Sequence, residues 1–181
     1  MKTLITFFCC FILVTVCNSQ ERYLTKNGAI TFYSKMPLED IKADNNQVLS
    51  IIDASSGKMA ISILMKSFMF KKALMQEHFN ENYVESDKFP KATFKGSILN
   101  FETIKEAAIK AQVKGVLTIH GISKEMTIDA NFTNTKETIQ VNGNFFIEMD
   151  DFDIEIPAVV AKNIAKKIKV SFNLNHKPYK K

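Results

Sequence analysis

Residues 109–132 read I-K-A-Q-V-K-G-V-L-T-I-H-G-I-S-K-E-M-T-I-D-A-N-F. Ile109, Ala111, Val113, Gly115, Leu117 and Ile119 share one parity, and Lys110, Gln112, Lys114, Thr118 and His120 hold most of the other. Past His120-Gly121 the alternation resumes, with Met126, Ile128, Ala130 and Phe132 against Thr127, Asp129, Asn131 and Thr133. A period of two marks a strand with one buried face. Gly121 can take the positive φ that a tight connection needs. The stretch is therefore a β-hairpin, apolar on one face and polar on the other.

The same period recurs along the chain. It predicts strands over residues 30–36, 47–53, 58–66, 91–101, 138–149 and 167–175. Asn45-Asn46 reads as a turn before the second strand, and residues 54–57 (A-S-S-G) as a hairpin turn. Residues 67–85 break the pattern. Leu74, Met75, His78 and Phe79 fall at helical spacing, which predicts a short helix over 71–80. Pro157 can open a second short helix ahead of residues 158–165. Pro178 and the last lysines read as a frayed tail.

About eight strands with one apolar face each need a closed interior, and one or two short helices cannot cover an open sheet. Glycines at inward parity (Gly96, Gly115, Gly143) favour strong curvature. The expected fold is all-β, an eight-stranded antiparallel barrel with one or two short helices. A barrel of this size is either filled by its side chains or holds one small ligand. Periodicity and composition leave both open.

The N-terminus has its own logic. Met1-Lys2 precedes an apolar run over residues 4–16, and Cys17-Asn18-Ser19 supplies small residues at a cleavage site before Gln20. This predicts a signal peptide over residues 1–19 and a single domain over 20–181, hence a periplasmic or secreted protein. Lipidation of Cys17 is the competing reading of the same stretch; Val16 before it is bulkier than such sites favour. All three cysteines (Cys9, Cys10, Cys17) lie in this leader, so thiol, redox and Cys-zinc chemistry are excluded from the domain.

The net charge of +5 is mild, and many of the lysines lie in residues 166–181. A solvated strand face and soluble tail explain them; the sharper reading is transient contact with a membrane surface. The basic residues are not interleaved with exposed aromatics, which argues against nucleic acid. The chain has 3 histidines, His78, His120 and His176, none at metal-ligand spacing with another. Asp151, Asp153 and Glu155 alternate in one connection without the glycine of a calcium loop. No nucleophile motif, phosphate loop or dinucleotide fingerprint is present. No enzyme, metal or dissociable cofactor is expected.

Three segments, in order, resemble the YceI-like family. Residues 116–126 (V-L-T-I-H-G-I-S-K-E-M) are similar to its "L-T-hydrophobic-x-G-V-(T/S)-K" signature. His78-Phe79 together with residues 89–96 (F-P-K-A-T-F-K-G) resemble its strand entry after proline. Residues 151–154 (D-F-D-I) resemble its D-F-G-I segment, with Asp153 where the family has glycine. The resemblance implies a lipocalin-like periplasmic barrel holding an apolar lipid, such as an isoprenoid chain or the tail of a quinone. Inward parity then nominates ligand-binding residues: Phe32, Met59, Ile61, Ile63, Met65, Phe68, Phe70, Met75, Phe79, Phe94, Leu117, Ile119, Met126, Ile128, Phe145, Ile147, Phe152, Val170 and Phe172. Residues 67–89 would form a lid. The alternative is a filled barrel serving as an interaction or stress-response module with no lipid.

Overall fold

The computed structural model describes residues 22–35, 39–103, 108–135, 137–156 and 165–179. The leader with Cys17, the predicted helix after Pro157, and the last two lysines lie outside those residues. Eight antiparallel strands close a barrel: β1 (Arg22–Ser34), β2 (Ile41–Asp53), β3 (Lys58–Leu64), β5 (Lys91–Ile98), β6 (Ala108–Ile119), β7 (Ile122–Asn134), β8 (Ile139–Glu148) and β9 (Lys167–Tyr179). Their order is β1-β9-β8-β7-β6-β5-β3-β2, and β1 pairing with β2 closes the ring. A two-residue strand, β4 (Met69–Phe70), adds to β2 at Ala43 and Asp44.

The opening hairpin folds as read. β6 and β7 pair from Ala108↔Thr133 to Ile119↔Ile122 without a break. Both turn residues are left-handed, His120 at φ 51° and Gly121 at φ 78°, which suits the twist of a two-residue hairpin turn. Asp153 has φ 54°. An aspartate thus adopts the conformation a glycine takes most easily, and the local turn is kept.

Two expectations fail for one reason. Asn45-Asn46 is no turn but the middle of β2, and β1 begins at Arg22, well before Ile30. Each of these long strands carries irregular register that breaks the alternation. Tyr23 and Thr25 point inward, then Gly28 and Ile30; Ala43 and Asn45 point inward, then Val48, Ser50 and Ile52. An extra residue at a bulge reverses parity and bends the strand. Buried Asn45 stitches this point together. Its Nδ2 donates to the Leu64 carbonyl at 3.0 Å and its Oδ1 accepts the Gln47 N–H at 2.9 Å. It bridges to Leu64 beyond the end of the β2–β3 ladder at Leu49↔Ser62.

Pro178 is also not part of a frayed tail. β9 continues to Tyr179, pairing Pro178 with Tyr23 and Tyr179 with Arg22. Its ladder to β8 ends at Ile139↔His176. Pro178 therefore sits with a neighbour on one side only, where a missing N–H is tolerated.

Candidate ligand cavity

The barrel interior divides into two halves. At the end that carries the β2–β3 hairpin, Val48, Ile52, Phe132, Ile139, Val141 and Leu174 are almost wholly inaccessible. His176 is buried among them. Its Nδ1 lies 3.0 Å from the Ile139 carbonyl and its Nε2 lies 2.8 Å from Ser50 Oγ. A carbonyl can only accept, so Nδ1 carries the proton and Nε2 accepts from the serine hydroxyl. The neutral ring is satisfied at both nitrogens. Burial, opposed by the Ile139 hydrogen bond, lowers its pKa from 6.5 to about 4.

The other end is hollow. A cavity of about 390 Å³ lies between Ile30, Phe32 and Ser34 of β1, Ile41 of β2, Ile63 of β3, Ala92 of β5, Leu117 and Ile119 of β6, Phe145 and Ile147 of β8, and Ile168 and Val170 of β9. Met149 and Ile154, from the connection after β8, also face it.

Its cover is the segment between β3 and β5. Met65 opens it, its N–H bonded to the Pro90 carbonyl at 3.0 Å, so the segment leaves and returns at one point. β4 attaches it to β2. The helix α1 (Ala73–His78) has no side-chain cap and runs into a wider π turn over Phe79–Tyr83. A π turn shifts side-chain register. Met75, His78, Phe79, Tyr83 and Val84 all meet the cavity, while Leu74 and Met69 face out. The predicted helix over 71–80 is thus shorter, and its continuation is a different helical turn.

Four phenylalanines join the cover to the wall. The Phe32 ring lies 5.3 Å from Phe68, 5.5 Å from Phe70 and 5.4 Å from Phe79. Phe70 and Phe79 are 5.0 Å apart. Tilted and edge contacts at these distances favour aromatic pairs beyond simple burial. Polar lining is sparse: Ser34, His78 and Tyr83. Ser34 Oγ accepts the Ala165 N–H at 3.3 Å. Burial raises the pKa of the Tyr83 hydroxyl. Among the described residues no lysine, arginine or carboxylate lines the cavity.

Of the residues nominated by parity, the cavity brings together Phe32, Ile63, Met65, Phe68, Phe70, Met75, Phe79, Leu117, Ile119, Phe145, Ile147 and Val170. Met59, Ile61, Phe94, Met126, Ile128, Phe152 and Phe172 are inside the molecule but off the cavity wall. Most of these sit at deeper levels of the same strands. Phe152 fills a different place, beside β7 in the connection after β8. Sequence reasoning missed Ile30, Ser34, Ile41, His78, Tyr83, Val84, Ala92, Met149, Ile154 and Ile168 as wall residues. For Ile30, Ala92 and Ile168, parity with a nominated neighbour was the available signal.

A rim cluster ties three connections. His120 Nε2 lies 2.8 Å from Glu85 Oε2, in the cover, and its Nδ1 lies 3.2 Å from the Phe152 carbonyl. The Phe89 ring stands edge-on to His120 at 4.6 Å. Lys124 reaches Asp151 at 3.2 Å, and Lys166 reaches Asp150 at 3.3 Å. The acidic connection is thus partly paired to lysines. Among the described residues no group of His, Asp and Glu is placed to hold a metal ion.

The YceI-like domain model matches residues 25–176. The chain belongs to the YceI-like family. Its fold is similar to that of a polyisoprenoid binding domain from Saccharophagus degradans, at 15% identity and a TM-score of 0.76, covering 87% of this chain and 98% of that one. It is also similar to Burkholderia cenocepacia BcnA, at 17% identity and a TM-score of 0.70, covering 82% and 95%. A Campylobacter jejuni YceI protein follows at 18% identity and a TM-score of 0.63, covering 81% and 90%. Among curated proteins none matches the chain.

Proposed function

We propose that this YceI-like protein is exported and holds an isoprenoid, a quinone tail or a similar apolar lipid in the hollow half of its barrel. The observation that carries this reading is the cavity of about 390 Å³ with only Ser34, His78 and Tyr83 as polar lining. Dedicated small-molecule sites are concave, apolar and of this size. Burying roughly 300 Å² of lipid surface is worth about 7 kcal/mol gross at ~25 cal/mol per Å². Lost motion of the lipid offsets part of that. A charged head group inside would find no lysine or arginine among the described lining residues, so the apolar chain is the part that enters. The fold it shares with a protein named for polyisoprenoid binding supports the same reading.

The role is binding: the wall offers van der Waals contact and no nucleophile–base set. Export rests on residues 1–19 as a removable signal. No helix among the described residues is long and apolar enough to cross a membrane. Transient contact with a membrane surface, where such lipids reside, belongs to the same proposal. The wholly filled barrel loses ground to the hollow half.

Native mass spectrometry of protein exported by a bacterial host tests both parts together. The expected result is a chain beginning at Gln20 with one lipid bound, or one that takes up one added farnesol. An empty barrel that ignores farnesol overturns the binding role. A mature chain starting at a lipidated Cys17, or an uncleaved one, overturns the signal assignment.

A further inference from the structure

The three polar side chains of the cavity wall, Ser34, His78 and Tyr83, are not equally engaged. Ser34 Oγ already accepts the Ala165 N–H. The His78 and Tyr83 side chains have no hydrogen-bond partner among the described residues. Burial raises the pKa of the half-buried Tyr83 hydroxyl, and no hydrogen bond or neighbouring charge adds to that effect. Such a hydroxyl is a donor and an acceptor held in reserve on an apolar wall.

Both residues come from the cover, and its backbone brings them to one side. The helix α1 ends at His78, and the π turn spans Phe79–Tyr83. The Val84 N–H bonds to the Phe79 carbonyl, five residues back, at 3.0 Å. Had the α-helix continued, the side chains stacked over His78 would be Glu81 and Asn82, three and four residues on. A π turn sets residues five apart one turn from each other, and Tyr83 reaches the cavity instead. Glu81 lines an adjoining polar groove on the cover, with Glu77 and Asp87. His78 is the one exposed residue of the cavity wall, so it marks where the cavity meets solvent.

We infer that His78 and Tyr83 form a head-group site at the mouth of the cavity, and that it takes an uncharged oxygen of the lipid, a hydroxyl or a carbonyl. This rests on the lipid-holding function and adds the class of head group to it. The Tyr83 hydroxyl donates to the lipid oxygen, and the His78 ring nitrogens offer a further donor or acceptor beside solvent. An anionic head group fits poorly. No lysine or arginine lines the cavity among the described residues, and Glu77 and Glu81 carry negative charge on the same short segment.

One prenyl chain with three different ends tests this: farnesene has no head group, farnesol a hydroxyl, and farnesyl diphosphate a charge. Affinities come from displacement of a fluorescent apolar probe, for the wild type and for Tyr83→Phe, which removes only the hydroxyl. The wild type should bind farnesol at least as tightly as farnesene, because the site returns the hydrogen bond that the hydroxyl loses on leaving water. Tyr83→Phe should bind farnesol about fivefold more weakly and leave farnesene unchanged. Farnesyl diphosphate should bind more weakly than farnesol to both proteins. Binding of none of the three by the wild type overturns the lipid-holding role, and the head-group site with it. If farnesene binds but farnesol binds more weakly, or if Tyr83→Phe weakens both alike or neither, the head-group site is overturned and the lipid-holding role stands. Diphosphate binding as tight as that of farnesol overturns the uncharged class. Denaturation of ligand-free Tyr83→Phe gives an independent readout. A hydroxyl without a protein partner leaves the midpoint unchanged or raises it; a clear fall would assign the hydroxyl to the fold and overturn its role towards the lipid.

Discussion

The two halves of this barrel are built from the same strands with the same alternation, yet one is solid and the other hollow. In the solid half and at its border, rings and branched chains are matched to small partners across the wall: Phe94 against Gly96 and Gly115, Leu174 against Gly28. In the hollow half, wall residues such as Ile63, Leu117, Ile147 and Val170 face one another without filling the space between. The solid half therefore provides the stability that allows the hollow half to stay open. Cavities forfeit dispersion contacts and transfer energy, so a barrel hollow throughout would rest on its backbone ladders and cover alone.

The largest effect should separate the halves directly. Phe132 is fully buried in the solid half, whereas Phe32 borders the cavity. Phe132→Ala should cost about 4 kcal/mol, in the range for a buried aromatic. Phe32→Ala should cost about 2 kcal/mol, because one side of its ring already faces empty space and the loss is mainly of its contacts to Phe68, Phe70 and Phe79. Urea denaturation of the two variants measures the gap. Equal losses would mean that the hollow half is as tightly packed as the solid one. Phe32→Ala should also weaken lipid uptake, which Phe132→Ala should spare.

A pH effect of the next size belongs to the solid half alone. His176 is neutral when folded, with a pKa near 4, against about 6.5 in the unfolded chain. Between these values the unfolded state binds the extra proton. Stability is therefore complete above pH 6.5 and falls as pH drops towards 4, by about 3 kcal/mol in all. Denaturant midpoints across that window check it. His176→Gln, which cannot titrate, should flatten the slope. A slope that survives the substitution would place its origin in other groups.

How much of this contrast could be read from the sequence follows from what alternation encodes. It reports which residues point inward, and it gave the β6–β7 hairpin its strands and its turn. It does not report depth along the barrel axis, because that depends on register between strands far apart in sequence. Met59 and Ile63 look alike in β3, yet only Ile63 reaches the cavity. Alternation also fails at a bulge. The Lys26-Asn27 and Asn46-Gln47 pairs break the pattern in β1 and β2, so polar residues inside a strand read as a strand that starts only at Ile30 and as a turn. The cover was legible only as a break in period. Its π turn, which brings Tyr83 and Val84 to the cavity, has no sequence signal distinct from a short helix.

The smallest effect concerns the rim of the hollow half. His120 places each ring nitrogen against an acceptor, Glu85 and the Phe152 carbonyl. The hydrogen bond from His120 holds the Glu85 carboxyl below its usual pKa. Its contribution is therefore present above the ordinary carboxylate range and is lost as pH falls through the lowered folded value. Glu85 is half exposed, and water screens the pair. Glu85→Gln should thus leave the denaturation midpoint almost unchanged. The charge nonetheless joins the cover to the hairpin, and through His120 to the connection after β8. Hydrogen exchange should accordingly quicken at residues 79–90 and 149–154 in Glu85→Gln, while the β8–β9 ladder of the solid half, from Ile139↔His176 to Val141↔Leu174, exchanges as before. Acceleration in the solid half as well would show that the rim supports the whole barrel. Acceleration confined to the rim would show that the cover opens without help from the half beneath it, as a route for lipid into the cavity requires.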